Sequence, residues 1–154
     1  MVLPGMSTPA TRFMLPATAI LLLIKDDRVL LCRRYNTGWE DGKYGFMAGH
    51  IDGGESFTSA LCREAKEELG IAIKPEDLRF VHMQHRTSNK EYIYTYFTTA
   101  KWQGKVSIHE PDKCDGIQWF TLDKLPTNLV ADTAFIIECY QKGVLYSETG
   151  FTKK

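Results

Sequence analysis

The segment at residues 49–71 constrains the fold of this 154-residue chain more than any other stretch. It reads G-H-I-D-G-G-E-S-F-T-S-A-L-C-R-E-A-K-E-E-L-G-I, in which a glycine-rich turn precedes a helical pattern. Ser56 has a side chain suited to capping a helix N-terminus, and Gly70 stands where a left-handed residue commonly ends a helix. The pattern therefore predicts a helix over residues 56–69. Its apolar stripe should pack against a sheet and consists of Leu61, Ala65 and Leu69.

Three carboxylates share one face of this helix, because Glu64, Glu67 and Glu68 stand at positions i, i+3 and i+4. Like charges at this spacing repel by about 0.2–0.5 kcal/mol per pair. The nearest cations, Arg63 and Lys66, are expected on the solvent side of the stripe. The acidic face is therefore either a solvated surface or a site for a compensating cation, and its oxygens suit Mg²⁺ or Mn²⁺ better than zinc. The helix alone leaves both interpretations open.

Alternation of apolar runs and turn residues predicts the remaining elements. Strands are predicted at residues 12–25, 28–34, 44–48, 78–86, 92–102 and 117–121. The first two form a hairpin closed by Asp26 and Asp27, and a second helix is predicted over about residues 129–141. The organisation that follows is a flexible N-terminal tail at residues 1–11, a single mixed α/β domain at residues 12–145 and a C-terminal tail at residues 146–154.

The composition argues against several classes of protein. The 19 Lys and Arg residues balance the 19 Asp and Glu residues, so no bulk charge favours binding to nucleic acid or to an anionic membrane. The four cysteines form no C-x-x-C pair, which favours reduced thiols over a zinc site or a disulfide framework. The longest apolar run, residues 17–24, is too short to span a bilayer and lacks the flanks of a signal peptide. We expect a cytoplasmic protein with no membrane or nucleic-acid partner.

The segment at residues 49–71 resembles the signature of the Nudix hydrolase family, G-x5-E-x7-R-E-U-x-E-E-x-G-U with U aliphatic. Its fixed positions are filled by Gly49, Glu55, Arg63, Glu64, Glu67, Glu68, Gly70 and Ile71. Two residues depart from the usual pattern: Ala65 stands where a larger aliphatic is common, and Asp52 stands where many members have glutamate. The segments L-L-C-R-R, Y-N-T-G, E-P-D-K-C and L-P-T-N also look like those of small MutT-type members, so the resemblance covers most of residues 15–140. The fold that it implies is a mixed β-sheet sandwiched between helices.

The resemblance implies hydrolysis of a nucleoside diphosphate linked to another group, with Mg²⁺ or Mn²⁺ as the cofactor. The implied metal ligands are the carbonyl of Gly49 and the carboxylates of Glu64, Glu67 and Glu68. Glu55 is expected to contact this set through water or another ligand, and Arg63 is expected to orient a glutamate by a charge-assisted hydrogen bond. The general base is either Glu64 or Glu110, which lies in the loop before the last predicted strand.

Contacts with the substrate are less constrained by the sequence. Arg33 or Arg34 and His50 are candidates for binding phosphate, and Asn128 in L-P-T-N is a candidate for binding the base. The arginines can instead be surface charges, and an Asn before a helix is commonly its N-cap.

The leading expectation is conversion of a canonical or damaged (deoxy)nucleoside triphosphate to the monophosphate and pyrophosphate. Cleavage of ADP-ribose or another nucleotide sugar is the first alternative. A catalytically silent nucleotide-sensing module and an RNA-decapping enzyme are two further alternatives, although the balanced charge provides no track for RNA. The resemblance is also compatible with a homodimer.

Overall fold

A mixed β-sheet between two helices makes up most of the computed structural model, which describes residues 12–152. The strands are β1 (Ala17–Lys25), β2 (Arg28–Arg34), β3 (Tyr44–Gly45), β4 (Met47–His50), β5 (Arg79–Thr87), β6 (Glu91–Thr99), β7 (Cys114–Thr121) and β8 (Tyr146–Thr149). The helices are α1 (Phe57–Leu69) and α2 (Thr133–Lys142), and a short 3-10 turn spans Pro75–Asp77. The tail predicted at residues 1–11 lies outside the described residues. Within residues 12–152, neither helix is long and apolar enough to cross a lipid bilayer.

Strand β1 lies at the centre of the fold because it is buried on both faces. Every residue from 18 to 24 is buried. Alternate side chains join two separate apolar clusters, one containing Leu61 and Leu69 of α1 and the other containing Ile136 and Ile137 of α2. A strand buried in this way needs a covering layer on each side. The predicted α/β architecture, a mixed sheet sandwiched between helices, is therefore confirmed.

One edge of β1 is shared between two partner strands. Ile24 and Lys25 pair with β2, whereas residues 18–21 pair with β4, and both pairings are antiparallel. The other edge pairs in parallel with β6, from which the sheet continues through β5 to β8. Strand β2 diverges from β1 and pairs instead with β3 and β7. This divergence opens a cleft between β2 and β4 beside α1.

The hairpin turn and the first helix form where the sequence predicts them. Asp26 and Asp27 close the β1–β2 hairpin with positive φ angles of 52° and 55°, as a tight two-residue hairpin turn requires. Ser56 Oγ accepts a hydrogen bond of 3.1 Å from the Ser59 amide, and Gly70 follows the helix at a φ of 68°. Helix α1 therefore has the two caps that its sequence indicates.

Helix α2 begins later in the chain than the sequence predicts. Tyr44 donates its amide N–H to the Asn128 carbonyl at 2.9 Å and accepts one from Val130 at 2.8 Å, which holds this segment extended beside β3. The helix can begin only after these bonds, at Thr133. The interpretation of Asn128 as the helix N-cap is therefore wrong, and Asp132 occupies that position.

The C-terminal segment also differs from its prediction. Residues 146–149, assigned to a tail from the sequence, form β8 and pair in parallel with β5 from Met83 to Arg86. The Met83 amide also donates to the Leu145 carbonyl at 2.9 Å. Because β8 is largely exposed, it lacks the alternation of buried apolar residues by which a strand is recognised in a sequence.

We expect Gly150→Ala to destabilise the protein more than Gly143→Ala. Both glycines have left-handed φ angles, 82° and 67°, so alanine at either position costs about 1–2 kcal/mol of backbone strain. A Cβ at Gly150 would also lie 1.9 Å from the Thr87 carbonyl oxygen, whereas a Cβ at Gly143 would have no atom within 4 Å. The resulting overpacking should add about 1–3 kcal/mol, measured as the free energy of unfolding in urea. Equal losses would contradict the placement of β8 against β5.

Candidate active site

A cavity of about 420 Å³ lies in the cleft between β2, β4 and α1, and we call it the acidic cavity. Seven residues that the sequence predicts for the site line it: Arg33, Arg34, His50, Glu64, Glu67, Glu68 and Glu110. Gly49 and Arg63 are not part of this lining but lie against Glu64, which is, and Glu55 in turn bonds to Arg63. Only Asn128 of the predicted set lies elsewhere. The fold thus gathers side chains from three separate parts of the chain into one site.

Gly49 allows the helix that carries the glutamates to lie close against the sheet. A Cβ at this position of β4 would lie 2.8 Å from Glu64 Cγ, which is closer than two carbon atoms can approach without a shift. Glycine is therefore needed here for space, since its φ is not in the left-handed region. The close approach places Glu64 between the helix and β4, with 15% of its side chain exposed.

Arg63 lies at the centre of a group of carboxylates. Its Nε and Nη2 donate to the two oxygens of Glu55 at 2.8 and 3.0 Å, and Nη1 donates to Glu64 Oε1 at 2.8 Å. Nη2 of Arg63 also donates a hydrogen bond of 3.1 Å to the carbonyl of His50. The pKa of Arg63 is raised because Glu55 and Glu64 both hydrogen-bond to the guanidinium.

The expectation that Arg63 lies on the solvent side of the helix is therefore wrong. The loop between β4 and α1 folds back along the helix and brings Glu55 to the guanidinium, an arrangement that helical periodicity cannot reveal. The pKa of Glu55 is lowered by its hydrogen bond from Arg63 and by a second from the Asp52 amide.

Glu68 is the glutamate of this helix face that forms no ion pair with Arg63. Burial, the charges of Glu64 and Glu110 and a hydrogen bond with Glu64 together raise the pKa of Glu68 to about 8, and burial is the largest of these causes. Lys113 acts in the opposite direction but offsets only part of this effect. The carboxyl group of Glu68 is therefore largely protonated near neutral pH unless a cation binds beside it.

The loop before β7 brings Glu110 to the acidic cavity. The amide of Ser107 donates to the Leu69 carbonyl at 3.1 Å, and that of His109 donates to the Glu68 carbonyl at 3.0 Å. The last carbonyls of a helix have no partner within the helix, so these bonds satisfy two of them. They also fix the loop against the end of α1, where Glu110 faces Glu68.

A divalent cation fits the chemistry of this site. The acidic cavity offers oxygen donors from several glutamates, and hard oxygen ligands are those that Mg²⁺ and Mn²⁺ prefer. The charges of Glu64 and Glu110 also act on the partly buried carboxyl group of Glu68, and a bound cation would relieve this repulsion. Within residues 12–152, however, no three His, Cys, Asp or Glu side chains converge into a ready metal site.

A second cavity, of about 140 Å³, lies on the side of the sheet covered by α2, and we call it the aromatic cavity. It shares Arg34, Phe46 and Ala48 with the acidic cavity. Arg34 stacks over the ring of Trp39 at 4.9 Å from the ring centroid and donates to the Trp39 carbonyl at 2.8 Å. The guanidinium therefore lies where the two cavities meet.

The polar wall of the aromatic cavity is a network centred on Asp132. Gln84 Nε2 donates to Asp132 Oδ2 at 3.1 Å, and Arg86 Nε lies 3.3 Å from the same oxygen. The hydroxyl of Tyr96 donates to Gln84 Oε1 at 2.9 Å, which fixes the orientation of the amide. Asp132 has a φ of 67° and makes no side-chain capping bond to α2, so its carboxylate is directed to this network.

Sequence reasoning missed these residues for a physical reason. Gln84 lies inside a strand, where no turn or motif marks it. Asp132 is marked only by its position at the start of α2, which the sequence places several residues too early. Asn128, the residue proposed for the base, donates its side-chain amide to the Gly42 carbonyl at 2.9 Å and lines neither cavity. Arg33 forms a two-bond ion pair with Asp115 at 2.7 and 2.9 Å at the edge of the acidic cavity.

Comparison with known proteins gives consistent results. Residues 14–139 match the family model described as the NUDIX domain. The structure of a MutT NUDIX hydrolase from Burkholderia pseudomallei superposes with a TM-score of 0.75 at 26% identity, covering 82% of this chain and 98% of that one. A MutT protein from Bacillus halodurans shares the fold, with a TM-score of 0.69 at 21% identity over 87% of this chain and 88% of that one.

A longer relative is also similar in sequence. The NAD-capped RNA hydrolase NudC of Stutzerimonas stutzeri (strain A1501) is 27% identical over 112 residues, which are 73% of this chain and 38% of that protein. The chain therefore spans well under half the length of the curated relatives that it matches.

We expect Glu68→Gln to change how stability depends on pH in the metal-free protein. The folded pKa of about 8 lies above the ordinary value of 4.5, so the stability contributed by the protonated form is present below about pH 4.5 and lost as the pH rises through about 8. Glu68→Gln should therefore be more stable than the wild type at about pH 9, by on the order of 1–2 kcal/mol after screening, and this advantage should shrink toward pH 5.

The measurement is urea unfolding in the presence of a chelator at both pH values. Glu76→Gln is the matched control, since Glu76 is exposed in the 3-10 turn and its replacement should leave the pH dependence unchanged. A Glu68→Gln advantage of the same size at both pH values would show that Glu68 does not titrate in this range.

Proposed function

The chain belongs to the Nudix family, and on that basis we propose that it is a metal-dependent pyrophosphohydrolase acting on a nucleoside diphosphate linked to another group. The observation that supports this most directly is the acidic cavity. It places four glutamates from α1 and the loop before β7 opposite cationic groups on β2: Glu64, Glu67, Glu68, Glu110, Arg33 and Arg34. Carboxylates are suitable ligands for a divalent cation, and guanidinium groups bind phosphate oxygens well. The glutamates of the cavity therefore suit the metal ion, and its arginines suit the phosphates of the substrate.

Within this proposal, Mg²⁺ or Mn²⁺ would be held by the carboxylates of Glu64, Glu67 and Glu68 with the Gly49 carbonyl. The bound cation would neutralise charge on the pyrophosphate and lower the pKa of the attacking water. Arg63 orients Glu64, and Glu55 in turn fixes Arg63 by its two bonds. These contacts reduce the freedom of the ligand carboxylate before any substrate binds.

We assign the role of general base to Glu110 rather than to Glu64. One oxygen of Glu64 already accepts a 2.8 Å hydrogen bond from Arg63, and the proposal also gives this carboxylate the role of a metal ligand. Glu110 has a looser ionic partner, Lys113, at 4.0 Å. Its carboxylate also faces the acidic cavity from the side opposite α1, where it can accept a proton from a water that attacks the phosphorus.

We further propose that the nucleoside lies in the aromatic cavity. Trp39 and Tyr94 provide flat surfaces for a base, and Gln84 and Asp132 provide the polar edge that could select it. Arg34 would then contact the phosphates where the two cavities meet. A (deoxy)nucleoside triphosphate, cleaved to monophosphate and pyrophosphate, is the leading substrate in this arrangement. Cleavage of ADP-ribose and of NAD-capped RNA are the alternatives, the second because of the similarity to NudC.

Glu67→Gln and Glu68→Gln should each lower kcat by at least about 10²-fold, because each removes a ligand carboxylate from the cation. Glu76→Gln should retain full activity, since Glu76 is an exposed glutamate outside the acidic cavity. Turnover is measured in Mg²⁺, in Mn²⁺ and in chelator against nucleoside triphosphates, ADP-ribose, NAD and capped RNA, with the products identified. Full activity in chelator, or unchanged turnover in both variants, would contradict the metal assignment. Binding of a nucleotide without turnover of any substrate would identify a sensing module instead.

Asp132→Asn should change the preference among bases more than it changes the chemical step. The substitution removes the negative charge and exchanges one acceptor for a donor at the polar edge of the aromatic cavity. We expect KM for the preferred nucleotide to rise by about 10-fold or more, with kcat nearly unchanged. Asp123→Asn serves as the control, since Asp123 is exposed and lines neither cavity. A uniform fall in kcat for every base would assign Asp132 to the catalytic machinery rather than to selection.

A further inference from the structure

Two thiols lie side by side in the wall of the acidic cavity. Cys32 on β2 and Cys114 on β7 both line it, and all four cysteines of the chain are free thiols. Cys32 and Cys114 lie close enough for each thiol to shift the pKa of the other. The Sγ of Cys114 also lies 3.3 Å from the Gly116 carbonyl. Cys62 and Cys139 lie on the two helices and line neither cavity.

An irregularity in the pairing of β2 with β7 brings these two thiols to one face of the sheet. Cys32 stands opposite Ile117, and Arg34 stands opposite Cys114, because the register shifts between Arg33 and Arg34. Residues directly opposite each other share a face, and so do residues two apart on one strand. Cys114 therefore points to the same side as Cys32. The residue left over by the shift, Asp115, is held by its ion pair with Arg33.

The pair differs chemically from the other two cysteines. The neighbouring Cys32 thiol lowers the pKa of Cys114, whereas the Cys114 thiol and burial raise the pKa of Cys32. Burial raises the pKa of Cys62 and of Cys139. Oxidants and electrophiles react with thiolates that they can reach, so the open cavity and the neighbouring thiol favour reaction at Cys114 over the other positions.

We propose that Cys32 and Cys114 form a modification site at which a peroxide converts the two thiols into an intramolecular disulfide. The Cys114 sulfur attacks one oxygen of the peroxide, the O–O bond breaks, and a sulfenic acid and one water form. The Cys32 sulfur then attacks the sulfenic sulfur and displaces hydroxide, which takes up the Cys32 proton and leaves as a second water. Two thiols are thus oxidised by two electrons, and one hydrogen peroxide is reduced to two waters.

The disulfide would affect the proposed active site directly. The Cys114 amide donates to the Glu110 carbonyl at 3.1 Å, and Cys32 lies close enough to Glu68 for that charge to raise its pKa. A covalent bond between β2 and the start of β7 would therefore shift the backbone that carries Glu110. The predicted loss of activity rests on the proposed function, whereas formation of the disulfide does not.

The test treats the full-length protein with a small excess of hydrogen peroxide, alkylates the remaining thiols and measures the mass of the intact chain and its peptides. We expect loss of two hydrogen atoms per chain, a Cys32–Cys114 linked peptide, and alkylation at only Cys62 and Cys139. A reductant should restore all four thiols. Hydrolysis of the best substrate should fall on oxidation and recover on reduction.

Three variants serve to locate the reaction. Cys62→Ser should still form the disulfide, whereas Cys32→Ser and Cys114→Ser should lose no pair of hydrogens. Four alkylated thiols after treatment, a disulfide-linked dimer, or oxygen added to Cys114 without a linked peptide would each overturn the proposal. A linked peptide in a protein that hydrolyses none of the substrates would instead support the modification site and refute the proposed activity, so the two failures are distinguishable.

Discussion

The negative charge concentrated between α1 and the sheet is the constraint on which the site depends. Glu64 and Glu68 lie on the helix, and Glu110 faces them from the loop before β7. Arg63 neutralises the side of this group that includes Glu55 and Glu64, but Glu68 remains against two like charges. Protonation of Glu68 and binding of a cation are two ways of relieving the same repulsion, so they should compete.

One edge of β1 is shared between β2 and β4, and this division explains why the negative charge lies in a cavity rather than on an open surface. Strand β4 pairs with residues 18–21 of β1, and β2 diverges from β1 and pairs with β7. The acidic cavity lies between the diverging strands, and Arg34 at the end of β2 reaches the aromatic cavity as well. One topological feature therefore produces both cavities and their junction.

Local signals in the sequence predicted the elements that depend on local interactions. The caps of α1, the Asp-Asp turn and the grouping of three glutamates on one helix face are all set by residues within a few positions of each other. The inward position of Arg63 depends on a loop, the late start of α2 depends on hydrogen bonds to Tyr44, and β8 depends on a strand more than 60 residues earlier in the sequence. These features come from tertiary contacts, which the pattern of a single segment does not contain.

Backbone strain gives independent information about the aromatic cavity. Three residues other than glycine with left-handed φ angles belong to the segments around it: Asn36, Glu40 and Asp132. Such a conformation costs about 1–2 kcal/mol per residue, and it persists only where surrounding contacts determine it. Those contacts are present, since Glu40 Oε2 accepts a 3.0 Å bond from the Ala131 amide and Asp132 accepts from Gln84. The bond from Ala131 joins the loop that carries Trp39 to the start of α2, so the two walls of the cavity are held at a fixed separation. Under the placement of the nucleoside proposed above, walls fixed in this way would select a base by its shape before any contact with the phosphates contributes.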